Sequence, residues 1–419
     1  MRIIHTSDWH IGQTFYSYDR TEEHKAFLEW LRGQLAEQAV DVLLISGDIF
    51  DTPNPSAASQ GLFYEFLLQS VTANPHLQIV AVAGNHDSGA RMEAPAPFFE
   101  HFRIHVRGLV HRTAEHIDYR SLVVPLYEKD NESPAAYCLT VPYLRQSDLP
   151  VAEEGETNRV ALFYRYAFDT ARELCGEKPL IAMGHLQAVG SELTEDDQSE
   201  RAIIGGLECV NPQMFDEALY TALGHIHKAQ RVSGREQVRY AGAPLPMSFA
   251  ELNYKQGVQL IELRNREIVS LDRLYFDTPV KLLSIPTKPL DKVSVIEELK
   301  LLPDRDASTD NPSLWPYLEV KIKLNAPEPN LRFEIQQAIE SKAVRFARIN
   351  TFSDRVDKST TSALVSLDEF RKLSPEDMAQ RVWREKYDEE GMPENLRHLF
   401  GEVCTELNIS LVKTEDHEN

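Results

Sequence analysis

At 419 residues, with 42% apolar and 26% charged side chains, the chain is long enough for two or three globular domains and too rich in core-forming residues to be disordered. A formal net charge of -21 excludes a protein that grips nucleic acid by a broad basic surface. Bound cations, a partner subunit or a local Lys/Arg strip must supply affinity for any polyanion.

The amino terminus, MRIIHTSDWH, turns polar before any apolar stretch reaches signal-peptide length, and no later run approaches a membrane span. The cytoplasm is therefore the expected location, with no membrane partner. Cys138, Cys175, Cys209 and Cys404 form no CxxC pair, so neither a thiolate zinc site nor a redox motif is indicated.

Five apolar runs with β-branched residues end in small and metal-capable residues: 3–8, 42–48, 79–85, 180–185 and 220–225. They read as buried strands that deliver their last residues to one rim of a sheet. Between them, 22–38 carries Phe27, Leu28, Leu31 and Leu35 at helical spacing, and 55–70 carries Leu62, Phe63, Phe66 and Leu67 likewise. This strand–helix rhythm predicts a layered α/β domain. Residues 101–148 alternate between turn-formers and predict short strands, as does 240–273, with a strand over 258–263.

The first domain is expected to close near Thr278-Pro279. Strand-like 318–324, helical 331–342 and strand-like 344–351 then predict a small α+β domain, with a polar loop over 302–312. Ser374-Pro375-Glu376-Asp377 supplies a helix start for Met378, Val382 and Trp383. Pro393 opens another, with Leu396, Leu399, Phe400, Val403 and Leu407 along one stripe. The predicted division is 1–278, 279–360 and 361–419.

The chemistry sits at the strand ends: Asp8-Trp9-His10, Gly47-Asp48-Ile49-Phe50-Asp51, Gly84-Asn85-His86-Asp87, Gly184-His185 and Gly224-His225-Ile226-His227. Asp, Asn and His together suit hard-to-borderline divalent ions such as Mn²⁺. In Asp8-x-His10 and His225-x-His227, alternation along an extended chain puts both side chains on one face. Two ions a few ångströms apart need a bridging ligand, and a carboxylate bridges with least electrostatic penalty, which favours Asp48. The expected division is Asp8, His10, His227 and Asp48 on one ion, with Asp48, Asn85, His185 and His225 on the other. The chemistry expected of such a site is in-line attack on a phosphodiester by water that the metal pair activates. His86 is a candidate to orient the phosphate or protonate the leaving oxygen, with Asp87 fixing its orientation. A further ligand or a loop-packing residue remains the other reading of His86. The remaining histidines show no paired spacing at a strand end and read as structural or surface residues. Arg20, Arg91, Lys228 and Arg231 lie near the motifs, as phosphate contacts or as solvated charges.

Together these motifs match the calcineurin-like metallophosphoesterase superfamily. The segments IIHTSDWHIGQTFYSYDRTEEHKAFLEWL, LISGDIFDTPNPS, VPYLRQSD, ALGHIHKAQ and YAGAPLPMSF narrow the likeness to the bacterial SbcD family of nuclease subunits. Archaeal and eukaryotic relatives commonly carry a histidine where this chain has Asp51; bacterial SbcD sequences have aspartate, so the difference narrows the branch. The resemblance implies an α/β sheet sandwich flanked by helices, an α+β capping domain and a C-terminal helical arm. It further implies two Mn²⁺ ions (Mg²⁺ as the alternative) on the residues assigned above, with a catalytic histidine at His86 and a homodimer. The terminal arm would dock on an SbcC-type, SMC-like ATPase. The implied activity is exonuclease action on duplex DNA ends and endonuclease action on single strands or hairpins, in double-strand-break processing. The rival activity for the same ligand set is phosphomonoester or phosphoprotein hydrolysis, and the rival class is an idle module that only binds a partner.

Overall fold

The computed structural model describes residues 1–113, 116–151, 158–193, 209–306, 311–324, 326, 328–353 and scattered positions between 379 and 400. Two six-stranded sheets dominate it. The first runs in the order Glu267–Tyr275, Gly257–Arg264, Arg2–Thr6, Val42–Ser46, Gln78–Val82, Ile104–Arg107; its last four strands are mutually parallel. The second runs Gln230–Val232, Arg235–Tyr240, Tyr220–Gly224, Leu180–His185, Ala136–Thr140, Val123–Leu126, with parallel pairing through its four central strands. The five expected strands are all present, and all lie inside these sheets.

Continuous apolar runs are what such interior strands require, because each must bury both faces. The two-residue period divides every run between two cores. Ile3, Val42, Leu44, Val80 and Val82 meet Cys138, Ile181, Met183, Tyr220 and Ala222 between the sheets. Their neighbours Ile4, Leu43, Ile45, Ile79 and Ala81 instead face helices Thr21–Glu37 and Ala57–Ala73, against Phe27, Leu31, Leu35, Phe63 and Phe66. On the far side, Leu180, Ala182 and Leu223 pack under helix Arg159–Cys175 through Phe163, Ala167, Phe168 and Ala171. The outcome is a helix–sheet–sheet–helix sandwich, the layered α/β architecture expected. Helix Arg159–Cys175, whose Asn158 side chain accepts from the Val160 and Ala161 N–H groups, was outside the predicted elements.

The predicted helix over 331–342 is shorter, Leu331–Ala338, and lies with helix Lys292–Lys300 beside a three-stranded sheet, Leu282–Leu290, Tyr317–Lys323, Arg345–Phe352. This sheet is joined to the sandwich within one compact unit, Met1–Ile322 with Glu328–Thr351. The joint is a buried polar network. Arg20 donates to Glu23 at 2.9 Å, to Gln13 at 2.7 Å and to the Pro246 carbonyl at 2.8 Å, while the Tyr317 hydroxyl donates to Glu23 at 2.6 Å. Arg345 lies 3.9 Å over the Tyr317 ring, and Phe15, Phe249 and Val280 seal the contact. Arg20 is therefore consumed by a buried ion pair, which corrects both of its readings, as a phosphate contact and as a solvated charge.

The second compact unit is Lys323–Pro327 with Phe352–Asn419. Within it Glu394, Leu396, Arg397, Leu399 and Phe400 are helical, and Pro393 accepts from the Arg397 N–H at 3.0 Å. The helix start at Ser374-Pro375, with Met378 and Val382, and the stripe positions Val403 and Leu407 lie outside the described residues. Among the described residues no helix is long and apolar enough to cross a membrane.

Candidate metal centre

The parallel strands end together, and their loops continue the pairing into the site. The Asp8 N–H donates to the Gly47 carbonyl at 3.0 Å, that of His10 to Asp48 at 2.9 Å and that of Ile11 to Ile49 at 2.9 Å. Trp9 points the other way, fully buried, with edge contacts to Phe27, Phe63 and Phe66 and its indole N–H on Thr6. The same loop thus anchors into the helix layer while presenting Asp8 and His10. Its backbone is strained: Asp8, His10 and Asp48 sit at φ 56°, 47° and 48°, and His225 at φ 102°. Non-glycine residues in this region cost on the order of 1 kcal/mol or more each, a strain characteristic of functional loops. Gly84 and Gly224 are required for a different reason, since a Cβ there would overlap the Asp48 backbone nitrogen and the Ser46 carbonyl oxygen respectively.

Residues scattered over more than two hundred positions converge in three overlapping clusters: Asp8, His10, His227; His10, Asp48, His86; and Asp48, His185, His225. The ligand-type atoms within each lie inside 4.8 Å of one another. Asn85 joins them, its Oδ1 2.9 Å from His185 Nε2 and 3.1 Å from His225 Nδ1. Asp48 and His10 each lie in two of the clusters, and of the two Asp48 is the carboxylate. Each key carboxylate uses one oxygen to brace a neighbouring motif: Asp8 Oδ1 accepts from the His225 N–H at 2.8 Å, and Asp48 Oδ1 from the His86 N–H at 2.9 Å. Asp48 Oδ2 then faces His185 Nε2 at 3.2 Å and His10 Nε2 at 3.7 Å. His10 Nε2 is buried and has no hydrogen-bond partner among the described residues. A buried imidazole nitrogen left without a partner beside carboxylate oxygens fits a divalent cation.

The histidines are held from behind. His185 Nδ1 donates to the Ser46 carbonyl at 2.9 Å, His86 Nδ1 to the Asp51 carbonyl at 2.8 Å, and the Asp51 carboxylate lies 3.4 Å from His10 Nδ1. His227 Nδ1 faces Glu251 at 3.5 Å. Such partners fix ring orientation and raise ligand basicity. Nothing in the sequence singles out Glu251, and Asp51 stands out there only as a member of its motif. Asp87 is also placed differently from expectation. Its carboxylate accepts from the backbone N–H groups of Ile49, Phe50 and Gly84 at 3.2, 2.9 and 2.9 Å. It clamps two loops together, while the ring of His86 is oriented by Asp51.

Electrostatics follow from burial. Burial alone would raise the Asp48 carboxyl and lower the His185 imidazole. Their mutual attraction reverses both shifts, holding Asp48 well below the usual carboxylate range and His185 up at about 9. Burial pushes Asp8 upward, and with the Asp48 charge raises Asp87 to about 6; burial pushes His225 down to about 3. His5 and His24, read as structural, are buried on Tyr220 and on the Trp9 and Arg20 carbonyls. A cavity of about 800 Å³ lined by Arg172, Asp216 and Arg266 contains none of these ligands.

A double-sheet α/β sandwich with Asp, Asn and His at its strand ends around a divalent-metal site defines a metal-dependent phosphoesterase. The calcineurin-like phosphoesterase family matches residues 1–229, and the family described as type 5 capsule protein repressor C-terminal domain matches residues 278–387. The SbcD component of the SbcCD nuclease of Rhodobacter capsulatus is 37% identical over 359 residues, 83% of this chain and 86% of the relative. The SbcD component from Escherichia coli K12 is 30% identical across 96% of this chain and 97% of its own length. That from Bacillus subtilis is 31% identical across 64% and 67%. The chain belongs to the calcineurin-like phosphoesterases, in the branch of SbcD-type nuclease subunits, and is a metal-dependent nuclease.

Proposed function

We propose that the chain is the Mn²⁺-dependent DNA nuclease subunit of an SbcCD-type complex in the cytoplasm, acting as an exonuclease on duplex ends and an endonuclease on single strands and hairpins. The observation that carries this reading is the convergence of Asp8, His10, Asp48, Asn85, His185, His225 and His227 around Asp48 in a chain aligned nearly end to end with an SbcCD nuclease subunit. Asp8, His10 and His227 would hold one ion, Asn85, His185 and His225 the other, and Asp48 both. When bound, the ions supply Lewis-acid stabilisation of phosphoryl charge and acidify water.

The protein's own residues do the rest. His86 commits its Nδ1–H to the Asp51 carbonyl, which leaves Nε2 to carry a proton to the oxygen that departs as the phosphorus–oxygen bond breaks and water oxygen bonds phosphorus. Asp87 keeps the His86 loop in register with Ile49 and Phe50. To residues 279–360 this reading assigns the role of capping DNA access, and to residues 361–419 that of docking an SbcC-type ATPase. The nuclease is a homodimer in DNA double-strand-break processing. The test is a Mn²⁺-dependent assay on end-labelled duplex and hairpin DNA, with and without the ATPase partner and ATP. Cleavage that Asp48→Ala abolishes is expected; hydrolysis of phosphoserine peptides with none of DNA would overturn the reading.

A further inference from the structure

One groove departs from the acidity of the chain. A cavity of about 470 Å³ is lined by His227 together with Lys228, Arg231, Arg239, Lys255 and Arg273. Against these five cations its only lining carboxylate among the described residues is Asp272. In a protein of net charge -21 this is a local reversal of sign. Part of the charge is already committed: Lys228 pairs with Glu192, Arg231 and Arg239 with Glu236, and Arg273 donates to the Ala241 and Lys255 carbonyls at 3.0 Å each. The acids Glu192 and Glu236 are exposed, at 70% and 63% of their side chains, so a polyanion can displace them without uncovering a buried charge.

Two tyrosines interleave with the cations. Lys228 lies 5.8 Å from the Tyr254 ring centroid and Lys255 5.7 Å from that of Tyr275, which is 59% exposed.

We propose that this groove is the track for a single strand of nucleic acid leaving the metal centre, with the backbone on the cations and bases against Tyr254 and Tyr275. The inference rests on the nuclease reading and deepens it. Proximity carries it: His227 belongs to the metal cluster and also lines the groove, so nucleotides adjoining a phosphodiester at the ions come within reach of the cations. A duplex, roughly 20 Å across, is far too wide for a cavity of this size, and its stacked bases offer tyrosine no face. An acidic peptide would satisfy the charge but would use neither the rings nor the junction with the metal ligands.

The test compares steady-state hydrolysis, with Mn²⁺, of a single-stranded oligonucleotide of about 20 nucleotides and of bis(4-nitrophenyl) phosphate, which needs the metal centre alone. Lys255→Glu and Tyr275→Ala change exposed side chains outside the metal cluster. Each is expected to raise KM for the oligonucleotide about ten-fold, with kcat and small-diester hydrolysis within about two-fold of the parent. Lys255→Glu should also flatten the salt dependence of KM by about 0.7 in the logarithmic slope. An unchanged oligonucleotide KM, or an equal loss on both substrates, would overturn the groove. Parent protein that cleaves the small diester but not the oligonucleotide overturns it as well, leaving phosphodiester chemistry intact, whereas failure on both substrates removes the nuclease reading itself.

Discussion

The Glu251 carboxylate faces Nδ1 of His227 at 3.5 Å, with both side chains buried and the second Glu251 oxygen accepting from the Met247 N–H at 3.1 Å. His185 has a neutral carbonyl in the equivalent place, that of Ser46. The two proposed ion positions are therefore backed differently, one by a full negative charge and one by a dipole. Glu251→Gln keeps the shape and removes the charge. It is expected to weaken one of two Mn²⁺ binding events by about 10- to 100-fold, with the other within about three-fold. Titration calorimetry separates the two; equal weakening of both would mean that Glu251 acts on the fold and not on His227.

The sequence exposes the site but not its supports, for a physical reason. Residues that hold ions must cluster at strand ends, so Asp8-x-His10, Gly47-Asp48, Gly84-Asn85 and His225-x-His227 stand out as short motifs after apolar runs. A residue that braces a ligand from behind can come from anywhere the chain passes, and Glu251 arrives from a short 3₁₀ turn capped by Ser248. Arg20 shows the same limit: nothing in its local sequence says that Glu23, Pro246 and, through Glu23, Tyr317 will enclose it. Helix Arg159–Cys175 was readable, since Val160, Phe163, Ala167, Phe168 and Ala171 repeat at helical spacing.

His86 keeps Nδ1 on the Asp51 carbonyl and lies with His10 and Asp48 in one cluster of ligand-type atoms, so proton donor and metal ligand are roles that one variant tells apart. His86→Gln is expected to lower kcat for DNA cleavage by about 10²-fold or more, the usual range for loss of a positioned acid. Metal content measured on the same preparation should stay at the parent value. A proportional loss of bound metal would instead make His86 a ligand.

Burial raises the Asp8 carboxyl and the Asp48 charge adds to the rise, against the pull of His185 and His227, so further positive charge at the site is favourable. Saturating Mn²⁺ therefore stabilises the fold. At a free concentration about 100 times Kd the gain is about 2.7 kcal/mol per site, read as a rise in Tm over the EDTA-treated protein. Asp48→Asn removes a shared ligand and the Asp48–His185 attraction together, so its Tm in EDTA should fall below that of the parent while the Mn²⁺-induced rise largely disappears. A full Mn²⁺-induced rise in Asp48→Asn would exclude Asp48 as the bridge.

Acid sensitivity should trace partly to His5, which belongs to none of the ligand clusters and can be read in EDTA. It is fully buried with Nδ1 2.9 Å from the Tyr220 hydroxyl, and burial pushes its imidazole down to about 3. The unfolded chain takes up a proton near its ordinary value of about 6.5, while the folded chain stays neutral until near pH 3. The stabilising contribution of neutral His5 is thus complete above about pH 6.5, and is lost as pH falls toward the folded value, at about 1.4 kcal/mol per pH unit. His5→Gln removes this titration while leaving a polar group for Tyr220. Urea unfolding between about pH 6 and pH 4.5 should show the variant's stability declining less steeply than the parent's by about that amount per unit. Identical slopes in the two proteins would mean that His5 is protonated inside the fold.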